Sequence, residues 1–243
     1  MSEVRAEVEP MGRHLVVRLT GELTVATAPA VRTALTKCLA EQPDALVADL
    51  SGLTVPEPHA LTVFRAVTYQ AALWPGTPML LCVPDPVLVT QLRNGGYGRR
   101  RLFATVAEAL AVPSAPRLAS ISDIILPVSG ASRQARQVVT AACERWELPH
   151  LAAPASLVAG ELVTNAAVHA RTLADLRLTR GHRYLMIAVR DGSTAPPRAS
   201  TTPSPDPAAP RGLLLVESVA HRWGTLPALG GKVVWATLQY EAP

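Results

Sequence analysis

Apolar positions along the chain fall into two regimes. Over roughly the first hundred residues, short β-rich runs alternate with stretches whose apolar side chains recur every three or four positions. His14 to Leu19, Ala45 to Leu50 and Met79 to Val83 are the runs, and each predicts a strand. Between them Val31, Leu35 and Leu39 share one helical face, with Thr27 placed to cap that helix and Pro29 in its first turn. Leu61 to Ala72, Pro86 to Arg93 and Thr105 to Leu110 read as further helices, and Thr20-Gly21-Glu22 as a turn. Strands and helices alternating at this spacing predict an α/β arrangement, a sheet covered by helices.

The second half changes pattern. Ser129 to Leu148 and Ala155 to Ala170 are two long helix candidates, and Leu173 to Leu178 with Tyr184 to Arg190 predicts a hairpin around Arg180-Gly181-His182. A helix (Leu213 to Arg222) and a strand (Val233 to Tyr240) follow. Helices first and an antiparallel sheet after predict an α+β sandwich. Two stretches have no apolar face at all. Residues 111–120 carry two prolines and read as a boundary, while residues 195–210 hold six prolines among Ala, Ser and Thr and predict a mobile loop. The expected division is a domain over residues 1–112, a linker over 113–124 and a domain over 125–243.

Composition narrows the function classes. The chain has 243 residues, 49% hydrophobic and 17% charged, enough apolar material for two cored domains and too little charge for disorder. Uninterrupted apolar runs are short and the N-terminus carries Glu3, Arg5, Glu7 and Glu9, so neither a membrane span nor a secretory leader is expected. Cys38, Cys82 and Cys143 match no metal spacing and no disulfide framework, which fits a reducing cytoplasm. The net charge of +4 is carried almost wholly by scattered arginines, Lys37 and Lys232 being the only lysines. With aromatics at 4% and one basic cluster at Arg99-Arg100-Arg101, direct nucleic-acid binding is not expected.

Chemistry concentrates in the second half. In Gly160-Glu161-Leu162-Val163-Thr164-Asn165-Ala166-Ala167-Val168-His169-Ala170, helical periodicity puts Glu161, Asn165 and His169 on one stripe. That spacing serves a polar solvent face equally well. It also serves a site, since an amide oxygen is a hard ligand for Mg²⁺ and a carboxylate one turn away can take a hydroxyl proton. The strand from Tyr184 ends in Asp191-Gly192-Ser193, either an ordinary Asp-Gly turn or a carboxylate facing a pocket. Arg211-Gly212-Leu213 opens an apolar helix, whose N-terminal amides suit phosphate. Gly230-Gly231-Lys232 turns into the last strand, with Lys232 able to reach a phosphate or simply solvated.

Taken in this order, these segments resemble the N, G1 and G2 boxes of the gyrase, histidine-kinase and chaperone ATPase superfamily, and most closely its anti-sigma-factor serine kinase branch. Glu161 to Ala170 resembles the N box, the strand into Asp191-Gly192-Ser193 G1, Gly212 to Val216 with Trp223-Gly224 G2, and Gly-Gly-Lys-x-Val-Trp the closing strand. The resemblance spans nearly all of residues 125–240. It implies ATP and Mg²⁺ as cofactors, with Asn165 holding the metal, Glu161 as general base and Asp191, with Ser193 beside it, bonding the adenine amino group. Gly212 and Leu213 would present amides to the phosphates under a lid formed by residues 195–210, and Lys232 would add a cofactor contact. Pro210-Arg211-Gly212 departs from the family's Gly-Arg-Gly and removes one donor.

Residues 10–112 are similar to a STAS domain, the anti-sigma-factor antagonist fold. Leu19-Thr20-Gly21-Glu22-Leu23, Ala28-Pro29-Ala30-Val31-Arg32 and Val47 to Thr54 carry the similarity, with residues 101–110 fitting its C-terminal end. The family's Asp-Ser-Ser-Gly acceptor loop is replaced by Glu57-Pro58-His59-Ala60, so no serine is expected to be phosphorylated there. The whole then resembles a cytoplasmic partner-switching regulator of sigma-factor activity, a protein serine kinase acting on a separate STAS antagonist. A sigma factor is a further partner the resemblance implies, and a homodimer a state it allows. Arg133 and Arg136 are candidate partner contacts, or a solvated face. The alternative is a non-catalytic interaction module with a vestigial ATP pocket.

Overall fold

In a computed structural model of the chain, the described residues are 3–98, 101–113, 118–197 and 212–240. The chain divides into two compact units, Met1–Arg117 and Leu118–Pro243. Pro210 and Arg211, with residues 198–209 of the expected lid and Arg99-Arg100 of the basic cluster, lie outside the described residues.

The first unit is a five-stranded sheet in the order β1-β2-β3-β4-β5. β1 (Val4–Met11) and β2 (His14–Glu22) pair antiparallel, while β3 (Ala45–Thr54), β4 (Met79–Cys82) and β5 (Leu102–Phe103) continue in parallel. Parallel neighbours need crossovers, and α1 (Ala28–Ala40), α2 (Thr62–Leu73) and α3 (Pro86–Asn94) supply them, with α4 (Val106–Leu110) closing the unit. Val31, Leu35 and Leu39 are buried as their spacing predicts. Thr27 sits at the start of α1 but bonds backward, accepting from the Thr24 amide at 2.9 Å and donating to the Glu22 carbonyl.

One element here was not read from the sequence and one expectation fails. β1 was not foreseen, because a strand exposed at nearly every position has no reason to alternate apolar with polar. Its charges answer those of its neighbour, Glu9 lying 2.9 Å from Arg18. Thr20-Gly21-Glu22 is also no turn: the ladder runs through it with a register shift after Arg18. The extra residue of that shift lies on β3, between Asp49 and Gly52, while Gly21 sits at φ +103°, where a β-carbon would lie 2.1 Å from the Glu3 carbonyl oxygen.

The second unit is an antiparallel sheet ordered β6-β7-β8-β10-β9. It comprises β6 (Ala119–Ile125), β7 (Ala174–Arg180), β8 (Tyr184–Asp191), β9 (Arg222–Ala228) and β10 (Gly231–Gln239). Alternate positions Leu176, Leu178, Leu185, Ile187, Val189, Val234 and Ala236 share a core with α5 (Ala131–Arg145), α6 (Ala152–Asn165) and α7 (Gly212–Val219). β6 occupies residues 119–124, which the sequence assigns to the linker. Only Ile125 of this edge strand is buried, so its pattern carries little signal. α7 ends at Val219, short of the expected Arg222, because Arg222 already belongs to β9, an edge strand that tolerates Pro227.

The helical run Pro149–Ala170, with mean hydropathy 1.4, is long and apolar enough to cross a membrane by length and composition. The short apolar runs of the sequence had suggested that no such segment exists. Here Val158, Ala159, Leu162 and Val163 of that run are buried in the core of the second unit.

All three cysteines are buried and free. Burial pushes the Cys38 thiol up to about 11 from 9.0, with Glu41 adding to it, and burial with the nearby Asp49 does the same for Cys82. A raised folded-state value stabilises the fold fully below the ordinary thiol range and loses that contribution as pH climbs from about 9 to about 11. A colorimetric thiol assay at pH 8 is therefore expected to find none of the three reactive in the folded protein and all three after denaturation.

Candidate functional site

The segment with the densest polar chemistry runs from the middle of α6 to the start of β7. α5 crosses α6 closely at Gly160, where a β-carbon would come within 3.0 Å of both the Arg136 guanidinium and Ser132 Oγ. That crossing fixes the turn carrying Glu161. Asn165 ends the regular helix, and residues Ala166–Ala170 continue as a wider π turn closed by Arg171 in the left-handed region at φ 54°, its N–H donating to the Ala166 carbonyl at 2.9 Å. The stripe expected of Glu161, Asn165 and His169 therefore holds in part: Asn165 and His169 face one cavity across the π turn, while Glu161 turns toward the start of α7.

Glu161 lies against α7. A β-carbon on Gly212 would come within 2.6 Å of Glu161 Oε2, so glycine at the first position of α7 leaves the carboxylate its place beside the helix N-terminus. Leu213 points its side chain into the core, leaving only its backbone N–H for any ligand.

The other wall comes from the sheet. Asp191, last in β8, stands in register opposite Lys232, second in β10. The two side chains are 2% and 8% exposed and form an ion pair, Nζ to Oδ1, at 2.9 Å. The Ser193 N–H donates to the same oxygen at 2.8 Å, and Lys232 Nζ donates also to the Ser193 carbonyl at 3.1 Å. Thr172 Oγ1 accepts the Gly192 N–H at 3.0 Å, tying the turn after β8 to the segment after the π turn. Gly231 is required by this register, since a β-carbon there would lie 1.9 Å from the Asp191 carbonyl oxygen.

Between these walls lies a cavity of about 420 Å³ lined by Asn165, His169, Arg171, Ser193, Ala195, Pro196, Pro197 and Lys232. Its size suits a small molecule, and among the described residues its lining holds Arg171, His169 and Lys232, the last with its charge offset by Asp191, a basic edge that suits an anionic ligand. Four of the residues singled out in the sequence, Asn165, His169, Ser193 and Lys232, line it together. Asp191 joins through its bond to Lys232, whereas Glu161, Gly212 and Leu213 are not in the lining. The Lys232 ammonium, expected to reach a phosphate or be solvated, is engaged by Asp191 and the Ser193 carbonyl. Sequence reasoning missed Arg171 and Thr172. The left-handed backbone of Arg171 has no local signature in an arginine, and the Thr172 bond to Gly192 spans 20 residues.

Among the described residues no group of three or more His, Cys, Asp or Glu side chains suits a metal ion. Asn165 offers a single amide oxygen, a donor set that fits Mg²⁺ only where phosphates and water complete the shell.

In the first unit, the loop after β3 passes through Glu57 into a short 3₁₀ turn, Pro58–Leu61, that leads into α2. Glu57 Oε2 accepts the Val25 N–H at 3.0 Å, binding the loop to the entry of α1. His59 is exposed, and its carbonyl accepts the Thr62 hydroxyl at 2.8 Å.

Comparison with known families places both units. Residues 5–109 match the family described as STAS domain, and residues 129–238 the family described as histidine kinase-like ATPase domain. No curated protein matches the chain. Among solved structures, an anti-sigma factor antagonist from Mycobacterium paratuberculosis is 27% identical, with 44% of this chain and 91% of that one covered and a TM-score of 0.39. The anti-sigma factor antagonist SpoIIAA in its unphosphorylated form is 18% identical over 44% of this chain and 93% of its own, with a TM-score of 0.37. The Bacillus cell fate determinant SpoIIAA in the phosphorylated form is 18% identical over 44% and 96%, with a TM-score of 0.35. The chain joins a STAS domain to a histidine kinase-like ATPase domain, a pairing consistent with partner-switching regulation.

The register at Gly231 generates a stability prediction. Gly231→Ala must push β10 away from β8 at the Asp191 carbonyl, and is expected to destabilise the second unit by about 2–3 kcal/mol, at the upper end for point changes. Denaturant unfolding of the full chain, followed by a probe in the second unit, measures it.

Proposed function

We propose that the second domain binds Mg-ATP and acts as a protein serine kinase on a separate STAS antagonist, making the protein a cytoplasmic partner-switching regulator of sigma-factor activity. The observation that carries this reading is the buried Asp191 carboxylate at a strand end, bonded to Lys232 beside a cavity that Asn165, His169 and Arg171 also line. Asp191 accepts a hydrogen bond from the adenine amino group, with Ser193 and Lys232 flanking it. Asn165 contributes its amide oxygen to Mg²⁺, which when bound neutralises phosphate charge. The N–H groups of Gly212 and Leu213 receive phosphate oxygens at the start of α7. Glu161, next to that helix start, takes the proton of the attacking serine as its Oγ–P bond forms and the γ-phosphoryl bond to the nucleoside diphosphate breaks.

The STAS domain takes a different part. With Glu57-Pro58-His59-Ala60 in the acceptor loop, and Glu57 held by the Val25 amide, it serves as a docking module that is not itself phosphorylated. The partner of the kinase domain is accordingly a second STAS protein or a sigma factor. Absence of a hydroxyl at that place also favours the second reading, a non-catalytic interaction module.

Calorimetric titration decides between the two. Saturable Mg-ATP binding by the wild type, weakened roughly tenfold or more in Asp191→Ala, supports the ATP site; no binding by the folded wild type leaves the interaction module. Glu161→Gln is expected to keep ATP binding while lowering phosphotransfer to a cognate STAS partner by about 10²–10⁴-fold, measured with radiolabelled ATP. Transfer at an undiminished rate would remove Glu161 as the base.

A further inference from the structure

The bond pattern around Asp191 assigns Lys232 a role separate from phosphate binding. We infer that Lys232 is a positioning residue: it fixes the Asp191 carboxylate so that the site selects a ligand presenting an amino donor at the base end. This deepens the proposed ATP-binding reading and rests on it.

A carboxylate at this depth needs partners. Asp191 has a side chain 2% exposed, and a buried carboxylate keeps its charge only where donors and a counter-charge surround it. The structure supplies both on one oxygen. Oδ1 receives the Ser193 N–H at 2.8 Å and the Lys232 ammonium at 2.9 Å, and neither of these bonds involves Oδ2. An ionised carboxylate can only accept, so Oδ2 is an acceptor whose direction is set by the two donors on its twin.

Lys232 is itself held. Its second bond, to the Ser193 carbonyl at 3.1 Å, closes a ring through Ser193 and Asp191. The cross-strand register puts the two residues opposite each other, and Gly231 admits the close approach of β10 to the Asp191 backbone. A lysine on a flexible stem normally loses much rotamer freedom when ordered. Here two bonds and burial fix it in advance of any ligand, which is what preorganisation demands. Lys232 also lines the cavity, so the fixed pair borders the space a ligand would enter.

A purely structural lysine would hold the two strands together and affect all ligands alike. A positioning lysine affects the one bond that Asp191 makes. The two differ in selectivity, which binding to ATP and to purine riboside triphosphate, its analogue lacking the 6-amino group, reads directly. For the full-length wild type with Mg²⁺, ATP is expected to bind roughly tenfold or more tightly than the analogue, the size of a hydrogen bond to a charged acceptor. In Lys232→Met, which keeps the stem and removes the ammonium, that ratio is expected to fall to within about twofold while thermal melting still shows a folded second domain. A ratio as large as the wild type's, even with both affinities lowered, overturns the inference. Should Lys232→Met not fold, the same ratio is read in Lys232→Gln, which keeps a donor of shorter reach. Retention of the full ratio there counts against the positioning role, and its collapse supports it. A folded wild type that binds neither triphosphate refutes instead the ATP-binding reading on which the inference rests.

Discussion

A lysine and an aspartate withdrawn from water at the same point of a sheet remain charged only if each completes the other's hydrogen bonding. The Asp191–Lys232 pair imposes that condition on the second domain. It requires β8 and β10 to be neighbours in one register, a glycine at position 231 so that the strands can close, and a backbone turn at Gly192-Ser193 that returns both a donor and an acceptor to the pair. Removing one partner would leave a buried uncompensated charge, whereas an apolar pair of similar volume would satisfy the fold alone. The charges are therefore better explained by what they do at the cavity beside them than by stability.

From this constraint the rest of the site follows in order. The sheet holds the carboxylate and α6 holds Asn165, while the Gly160 crossing with α5 sets the height of α6. The π turn and left-handed Arg171 then bring the chain back to Thr172, whose hydroxyl grips the Gly192 amide. Strain of this kind, a non-glycine residue at positive φ behind a widened helical turn, concentrates where function outweighs local propensity. The STAS domain shows the reverse economy. Its acceptor loop is anchored by Glu57 through the Val25 amide and carries Glu57-Pro58-His59-Ala60, with no hydroxyl where the resemblance expects one.

How much of this the sequence disclosed depended on how local each signal was. Helices with a buried stripe, such as α1 with Val31, Leu35 and Leu39, were plain because burial and periodicity are the same fact. The short apolar runs of β2, β3 and β4, the last buried at every position, were equally plain. The edge strands β1, β6 and β9 were hidden or misjudged, since a strand mostly in solvent, or one carrying Pro227, has little alternation to show. Within the site, Asn165, Ser193 and Lys232 were identifiable from motif and order, and the structure brings them to one cavity. The destination of Lys232 was not identifiable: its partner lies 41 residues away, and only the register of two strands decides that the ammonium meets a carboxylate. Arg171 and Thr172 likewise owe their positions to long-range contacts.

The central claim is that the cavity between the π turn and the Asp191–Lys232 pair is a nucleotide site. Hydrogen–deuterium exchange of the full-length protein with and without Mg-ATP tests it most directly, because exchange reports where a ligand orders the backbone. The account predicts slowed exchange confined to residues 161–172, 191–197, 212–216 and 231–235, with the STAS domain unchanged. Unaltered exchange across those four segments at saturating nucleotide would contradict it.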